Sequence, residues 1–169
     1  MKNEREQSHM RTARDEWYLD IAERCAKQGS CLRRNYGAVI VDSEGAILST
    51  GYTGMPCGIP HCETLGFCWR EQHSIPSGQM YDKCRSVHAE INAVVQAGRL
   101  ARGATMYIVG VDAKTGKNVA TMPCFSCSKA IINAKLQRVI VRDKEGETQE
   151  WTPSEIYAIR EFEALGGLT

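Results

Sequence analysis

Two short motifs, far apart along the chain, most strongly constrain how this protein can fold. The first is the His-Ala-Glu run that begins at His88, and the second is the Pro-Cys-Phe-Ser-Cys run that begins at Pro123. One imidazole and two thiolates are ligands that Zn²⁺ prefers, and a catalytic zinc site keeps its fourth position for water. A fold that uses both motifs must bring the starts of two distant segments to one point.

The spacing within each motif sets a geometric condition on that fold. Cys124 and Cys127 stand at the head of a helix predicted over 123–136, where Pro suits the first turn. Both sulfurs can then face one point, and the positive end of the helix favours their thiolate forms. Residues two apart inside a helix face opposite sides. His88 and Glu90 can therefore share a pocket only if their helix begins at about His88.

The chemistry of such a site is hydrolytic. Zinc lowers the pKa of its bound water towards ~7, and Glu90 would pass a proton from that water to a ring nitrogen and a leaving amine. Taken singly, a Cys-x-x-Cys is also compatible with a redox dithiol, and a lone His or Glu is usually structural or solvated. Taken together at the heads of two predicted helices, the motifs predict a catalytic zinc bound by His88, Cys124 and Cys127.

The chain has eight cysteines, an unusual number. Met1 to Glu16 is too charged for the apolar region of a secretion signal, so we expect a cytoplasmic protein. In a reducing compartment cysteines serve metal binding or catalysis rather than disulfides. Cys25 falls on the apolar face of the first predicted helix and is interpreted as a small buried hydrophobic residue. Cys57 has no evident partner.

The stretch at 52–83 is rich in Gly, Pro and Cys, and four cysteines lie in it or directly after it: Cys57, Cys62, Cys68 and Cys84. A structureless loop of this length inside a compact domain needs something to hold it. A closed zinc site with four thiolates would do so, because metal binding contributes folding free energy. The predicted ligands of this structural zinc are Cys31, Cys62, Cys68 and Cys84. His61 and His73 are rival ligands, and free reduced thiols are the alternative interpretation.

Length and charge limit the remaining possibilities. The 169 residues predict one domain over 1–169, with 1–11 as a flexible tail and 52–83 as a zinc-tethered loop insertion. A net charge of +1 gives no basic stripe for duplex nucleic acid. No run of 18 apolar residues is present, so we predict no membrane span.

The pattern of elements predicts the fold class. Runs at 37–42 and 46–51 flank a turn and should form an antiparallel hairpin. Strands at 105–111 and 138–142 are separated by a helix and should pair in parallel through a right-handed crossover. The expected helices begin near Thr12, Ser86, Pro123 and Thr152. We predict an α/β protein with a three-layer α/β/α arrangement and a mixed sheet of about five strands.

These residues resemble the deoxycytidylate (dCMP) deaminases of the zinc-dependent cytidine deaminase superfamily. The resemblance runs over about 31–141, and the matching stretches are 37–41, 51–56, 59–62, 75–78, 84–93 and 123–133. It implies a cytidine-deaminase-like fold and the conversion of dCMP to dUMP with release of ammonia. Zinc-bound hydroxide would attack C4 while Glu90 shuttles protons.

The resemblance also implies binding roles. Its catalytic roles carry over to His88, Glu90, Cys124 and Cys127. Bacterial members with an additional structural zinc favour the four-cysteine set named above. Substrate contacts would fall on Thr53, Ala89 and Pro123. Members of the family form homo-oligomers, often hexamers, activated by dCTP and inhibited by dTTP, and Mg²⁺ would accompany such a nucleotide effector.

Two departures from the family pattern bear on the substrate. Thr53 stands where the family usually has an Asn associated with the sugar hydroxyl, and a threonine cannot make the same pair of hydrogen bonds. An insertion at 112–122 precedes the second motif; its Lys114 and Lys117 are interpreted as part of a solvated turn, with phosphate binding as the alternative. Arg99, just past the first motif's helix, is another phosphate candidate.

Other functions stay open at this point. The same chemistry would suit another free nucleotide or base, or adenosine in tRNA, although the near-neutral charge argues against a tRNA enzyme. The chain could also be a zinc-bound regulatory module without catalysis. Glu90 argues against that reading, because a structural zinc site has no use for a carboxylate outside its ligand set.

Overall fold

A five-stranded mixed sheet forms the middle layer of the computed structural model, which describes residues 13–76 and 78–166. The strands are β1 (Arg34–Val41), β2 (Ile47–Tyr52), β3 (Thr105–Asp112), β4 (Arg138–Arg142) and β5 (Thr148–Trp151). They lie in the order β2-β1-β3-β4-β5. Only the β3–β4 pair is parallel; the other neighbours are antiparallel. The predicted hairpin and the predicted parallel pair are confirmed.

Helices cover both faces of the sheet. The α-helices of the described residues are α1 (Arg14–Ala26), α2 (Cys62–Leu65), α3 (Trp69–Gln72), α4 (Ala89–Ala97), α5 (Phe125–Asn133) and α6 (Pro153–Ala164), and α1, α4, α5 and α6 lie on the sheet. Helix α1 packs on one face, against Val39 and Val41 of β1. Helices α4, α5 and α6 cover the other face, where Ala38 and Ile40 of the same strand point. Alternate residues of a strand face opposite sides, so β1 is buried on both, and the three-layer α/β/α class is confirmed.

Two glycines let helices approach the sheet closely from opposite faces. A methyl group at Gly51 of β2 would collide with the carbonyl oxygen of Ala89 and lie 2.6 Å from the amide nitrogen of Ala93, both in α4. A methyl group at Gly37 of β1 would collide with the backbone of α1 at Ala22. The depth at which α4 lies on the sheet therefore depends on the missing side chain at Gly51.

An arginine fastens α1 to the sheet. The guanidinium of Arg142 in β4 donates to Glu16 and Asp20, each at 2.9 Å, and to Glu23 at 3.1 Å. Arg142 is only 8% exposed, and charged pairs with one buried partner are stronger than surface pairs because water screens them less. This cluster holds the helix on the face away from the predicted active site.

Several local predictions differ from the structure. The second motif's helix begins at Phe125 rather than at Pro123, so Pro123 precedes Cys124, which caps the helix. Strand β5 was not placed because most of its residues are exposed and show no alternation. The predicted start near Thr152 is confirmed by a capping box, in which the Thr152 side chain accepts from the amide of Glu155.

The stretch at 52–83 contains regular structure instead of a plain loop. It holds α2, α3 and a 3-10 turn at Tyr81–Lys83. The insertion at 112–122 folds as a turn closed by hydrogen bonds from the amide of Asp112 to the carbonyl of Lys117 and from the amide of Gly116 to the carbonyl of Asp112, and then runs back along β3. Thr12 and the tail at 1–11 lie outside the described residues. No helix among the described residues is long and apolar enough to cross a membrane.

Candidate active site

Two helix N-termini converge on the first candidate ligands. His88 caps α4 with an extended backbone (φ −71°, ψ 149°), and Cys124 caps α5 in the same way (φ −71°, ψ 169°). Gly54, just after β2, pairs with Val87 through two backbone hydrogen bonds and so fixes the residue before His88. The helix begins directly after His88, which is the condition for His88 and Glu90 to face one pocket.

The three predicted ligands meet at one point. His88 Nδ1 lies 3.4 Å from Cys124 Sγ and 3.3 Å from Cys127 Sγ. Tetrahedral zinc with ordinary Zn–N and Zn–S bond lengths would separate these atoms by about 3.6 Å. Within residues 13–76 and 78–166, this is the one group of three such ligand atoms close enough together to share an ion. The residues fit Zn²⁺ with one coordination position left over.

The protonation of the two thiols also fits a cation. The pKa of Cys124 is lowered to about 4, because a hydrogen bond with Cys127 and the nearby His88 together outweigh the opposing effect of burial. The same hydrogen bond, together with burial, raises the pKa of the Cys127 thiol. Two adjacent sulfurs can both be thiolates only beside a positive ion, since a coordinated thiol is deprotonated outright. A bound cation would allow both sulfurs of this donor set to be thiolates, as in a zinc site.

Glu90 lies beside the ligands without belonging to them. It sits in the first turn of α4 and is 6% exposed. Burial raises the pKa of its carboxyl, and the nearby charge of His88 lowers it. Its carboxyl interacts with the thiol of Cys127. A shielded carboxyl at this position can hold a proton and hand it to an atom bound in the pocket.

Residues 12–143 match the family described as the cytidine and deoxycytidylate deaminase zinc-binding region. The chain belongs to this family. The match covers both motifs and every strand from β1 to β4. It agrees with the geometry at His88, Cys124 and Cys127, and it makes the metal of this family site zinc.

Named relatives of this deaminase-family chain are deoxycytidylate deaminases. The enzyme of Mycobacterium phage D29 is 33% identical over 132 residues, which cover 75% of this chain and 91% of that protein. The human enzyme is 30% identical over 143 residues, 83% of this chain and 71% of that protein. The Schizosaccharomyces pombe enzyme is 30% identical over 135 residues, and the match spans 79% of this chain but only 38% of that protein.

Solved structures agree on the fold. The dCMP deaminase of cyanophage S-TIM5 in apo form superposes with a TM-score of 0.55 at 24% identity, covering 79% of this chain and 86% of that one. The same enzyme in complex with dCMP and dUMP gives a TM-score of 0.56 at 22% identity, over 90% and 95% of the two chains. The predicted cytidine-deaminase-like fold is confirmed.

A cavity beside His88 extends the site away from the metal ligands. Its volume is about 70 Å³, and Tyr36, Thr53, Arg70 and Tyr81 form part of its wall. The edge of the Tyr81 ring meets the His88 ring at a centroid distance of 4.9 Å. We call this space the Arg70 cavity. It joins the catalytic site of this deaminase fold to the stretch at 52–83.

Thr53 lines the Arg70 cavity, but its hydroxyl is used within the protein. Thr53 Oγ1 accepts from the backbone amide of Tyr36 at 3.0 Å and donates to the carbonyl of Tyr36 at 3.4 Å. Its single hydrogen is therefore occupied, and it has only a lone pair to offer a substrate. A direct substrate contact by Thr53 stays a prediction.

Some of the other predicted substrate residues lie next to the metal ligands, and others lie away from them. Ala89 is buried at the start of α4, next to His88. The carbonyl of Pro123 accepts from Arg160 at 2.8 Å. Arg99 lies exposed past the opposite end of α4 from His88. Lys114 lines a separate cavity of about 540 Å³ beyond the end of β3. The structure brings Ala89 and Pro123 to the catalytic site and places Arg99 away from it.

Arg160, which no sequence pattern marks, steadies the second motif. Arg160 of α6 donates to the carbonyls of both Pro123 and Met122, at 2.8 and 3.1 Å, and pairs with Glu163 at 2.7 Å. These bonds fix the chain directly before Cys124. Nothing in the sequence around Arg160 marks it, because its partners are backbone carbonyls almost forty positions away.

The four remaining predicted ligands come together more loosely. Cys31, Cys62, Cys68 and Cys84 all line one small cavity next to Arg70. The backbone amide of Arg33 donates to Cys31 Sγ at 3.4 Å. The rival ligands lie elsewhere: His61 bonds Ser30 at 2.7 Å, and His73 bonds the carbonyl of Trp69 at 2.8 Å. Cys25 packs against the α1 core as expected, and Cys57 is exposed.

Proposed function

We propose that this protein deaminates dCMP to dUMP with release of ammonia. The observation that carries the proposal is the meeting of His88, Cys124 and Cys127 at two helix N-termini, with the buried Glu90 beside them. A hydrolytic zinc site needs this combination of ligands and proton carrier. The substrate rests on the relatives, which are named deoxycytidylate deaminases.

Each residue of the site has a distinct task in this reaction. Bound zinc would supply Lewis-acid activation of the attacking water. His88, Cys124 and Cys127 would hold the metal, and the helix N-termini would stabilise the negative charge of the thiolates. Glu90 would take one proton from the water and give it to the ring nitrogen of the base, and would then carry the second proton from the new C4 hydroxyl to the departing amine. The C4–N bond breaks, a C4=O bond forms, and ammonia leaves.

A substrate panel tests this function. We expect ammonia release with dCMP at a kcat/KM above that with CMP, dCTP, deoxycytidine, dAMP, guanine or an adenosine-containing tRNA stem-loop. Parallel assays with dCTP and dTTP report whether the enzyme is activated by the first and inhibited by the second. A higher kcat/KM for any other compound would replace dCMP as the substrate, and turnover of none would favour a regulatory module.

We further propose a structural zinc at Cys31, Cys62, Cys68 and Cys84. Their common cavity supports it, and so does the surrounding stretch of short helices, which leaves several apolar side chains unburied: Ile59, Leu65 and Met80 are 45%, 39% and 42% exposed. Four thiolates would have to draw closer to reach the Zn–S distance of about 2.3 Å. Binding would then contribute the free energy that orders residues 52–83.

Metal analysis distinguishes one zinc from two. We expect two zinc ions per chain in the wild type and about one in Cys62→Ser, with a lower melting temperature, because a closed four-thiolate site fails without one ligand. Cys124→Ala should lose the catalytic ion only. Cys57→Ser is the matched control, since Cys57 is exposed and outside the set. One ion in both wild type and Cys62→Ser would disprove the structural site.

We also propose that the enzyme is a cytoplasmic homo-oligomer, with a hexamer as the expected form. Val95 and Leu100, on and just past α4, are 74% and 68% exposed, and large apolar side chains at such positions are typical of contacts between copies. Nucleotide effectors with Mg²⁺ would act on this assembly. Light scattering of the purified protein measures the mass, and a monomeric mass at assay concentration contradicts the proposal.

A further inference from the structure

In the part of the chain that the structure describes, three buried polar side-chain atoms lack a hydrogen-bond partner. Among the described residues, Arg33 Nη1, Arg70 Nε and Ser86 Oγ are the buried side-chain nitrogen and oxygen atoms that have no hydrogen-bond partner. All three residues line the Arg70 cavity, together with His88. An unpaired buried donor costs about 1–3 kcal/mol, and more when it is charged. Their concentration around one cavity indicates a ligand that accepts hydrogen bonds.

The positive charge of the arginines that line this cavity favours an anionic ligand. Arg70 is 7% exposed, and its guanidinium uses one nitrogen, Nη2, to bind the carbonyl of Pro76 at 2.9 Å. In the described part of the chain, neither Arg33 nor Arg70 forms an ion pair with a carboxylate. Burial of an uncompensated guanidinium is strongly unfavourable. Arginine nitrogens in a fixed fork are suited to phosphate oxygens.

Tyr81 connects the anion cavity to the catalytic site. The guanidinium of Arg70 lies over the Tyr81 ring, 4.5 Å from its centre, and the edge of the same ring meets His88 at a centroid distance of 4.9 Å. These two distances place the guanidinium carbon less than about 10 Å from the centre of the His88 ring. The cavity, at about 70 Å³, holds roughly two waters, a space suited to a phosphate group and not to a whole nucleotide.

We propose that Arg70, assisted by Arg33 and Ser86, binds the 5′-phosphate of the nucleotide while its base lies at His88 and Glu90. This inference rests on the proposed function and names the group that makes a monophosphate the substrate. Arg70 Nε and Arg33 Nη1 donate to phosphate oxygens, and the hydroxyl of Ser86 donates a third hydrogen bond. A nucleoside lacks the anion and leaves all three donors unpaired.

The nearby cysteines offer a rival explanation for the two buried arginines. Cys31, Cys68 and Cys84 also line the Arg70 cavity, and thiolates of a structural zinc site would attract the same cations. Neither Arg70 Nε nor Arg33 Nη1 has a sulfur within hydrogen-bond reach. The two explanations predict different losses: a role toward the thiolates changes the zinc content, and a role toward phosphate changes the discrimination between nucleotide and nucleoside.

Kinetics on Arg70→Gln test the proposal. We expect kcat/KM for dCMP to fall about 30-fold or more, as for one lost charge-assisted hydrogen bond plus the loss of charge. The kcat/KM for deoxycytidine should stay within about 3-fold, and zinc per chain should be unchanged. Arg70→Lys should recover part of the loss, because it restores the charge without the fork. Arg102→Gln, which replaces an exposed arginine beyond α4, is the matched control.

A second measurement tests the subsite even where deoxycytidine is turned over too slowly for the comparison. Inorganic phosphate should inhibit the wild type competitively against dCMP, and its inhibition constant should rise about 10-fold or more in Arg70→Gln. Equal losses with dCMP and deoxycytidine, loss of zinc, or unchanged phosphate inhibition would each overturn the subsite. Failure of the wild type to act on dCMP at all would instead refute the proposed function.

Discussion

Replacement of Glu90 by Gln should abolish deamination and leave the fold and the bound zinc in place. An amide has nearly the shape of the carboxyl and fits the same buried position in the first turn of α4. It cannot accept the proton of the attacking water or return it to the ring nitrogen and the amine. One positioned acid–base group contributes about 10²–10⁴-fold, and Glu90 serves more than one transfer, so we expect a loss of at least about 10³-fold.

Ammonia release, zinc content and a thermal melt on the same preparation check this result. The melting temperature should not fall, because a neutral amide is easier to bury than a carboxyl whose pKa burial has already raised. Glu44→Gln, in the exposed turn between β1 and β2, serves as the matched control and should keep full turnover. Turnover above about a tenth of wild type in Glu90→Gln would rule out the acid–base role.

Replacement of Gly51 by Ala should damage the active site through the backbone. The added methyl collides with the Ala89 carbonyl and pushes α4 away from β2. Because α4 carries both His88 and Glu90 at its N-terminus, its displacement separates His88 from the two thiols of α5. Overpacking of this kind costs about 1–3 kcal/mol or more, and we expect weaker zinc retention and a fall in kcat of about 10²-fold, since misplacement by about 1 Å costs that much.

Gly37→Ala is the matched control for this experiment. Its methyl collides with α1 on the opposite face of the sheet, so it should lower the free energy of unfolding by a similar amount. The folded fraction of Gly37→Ala should keep its zinc and its turnover. Urea unfolding, zinc content and kcat on the folded fraction from gel filtration separate the two cases. Equal loss of activity in both variants would show that general destabilisation, not the position of α4, is responsible.

Much of the fold was predictable because its strands carry strong local patterns. The apolar, β-branched residues of β3 and β4 and the turn between β1 and β2 identified four strands and the pairing of each predicted pair. Strand β5 lies at the edge of the sheet with mostly exposed residues, so no buried face marks it. The predicted start of α5 is two residues too early, because proline suits the first turn of a helix. In the structure Pro123 precedes the helix, its carbonyl accepts a hydrogen bond from Arg160, and Cys124 is the N-cap residue.

The sequence by itself determined the chemistry of this protein. Few side chains bind zinc, and their spacing at helix starts restricts the arrangement so strongly that a site at His88, Glu90, Cys124 and Cys127 could be predicted without coordinates. Tertiary structure decided which other residues serve them. Arg70, Arg160 and Gly51 act through atoms that lie far away in the sequence: an anion cavity beside His88, two backbone carbonyls before Cys124, and the backbone of α4. Arginine and glycine occur in many roles, so only three-dimensional proximity shows which role each one has.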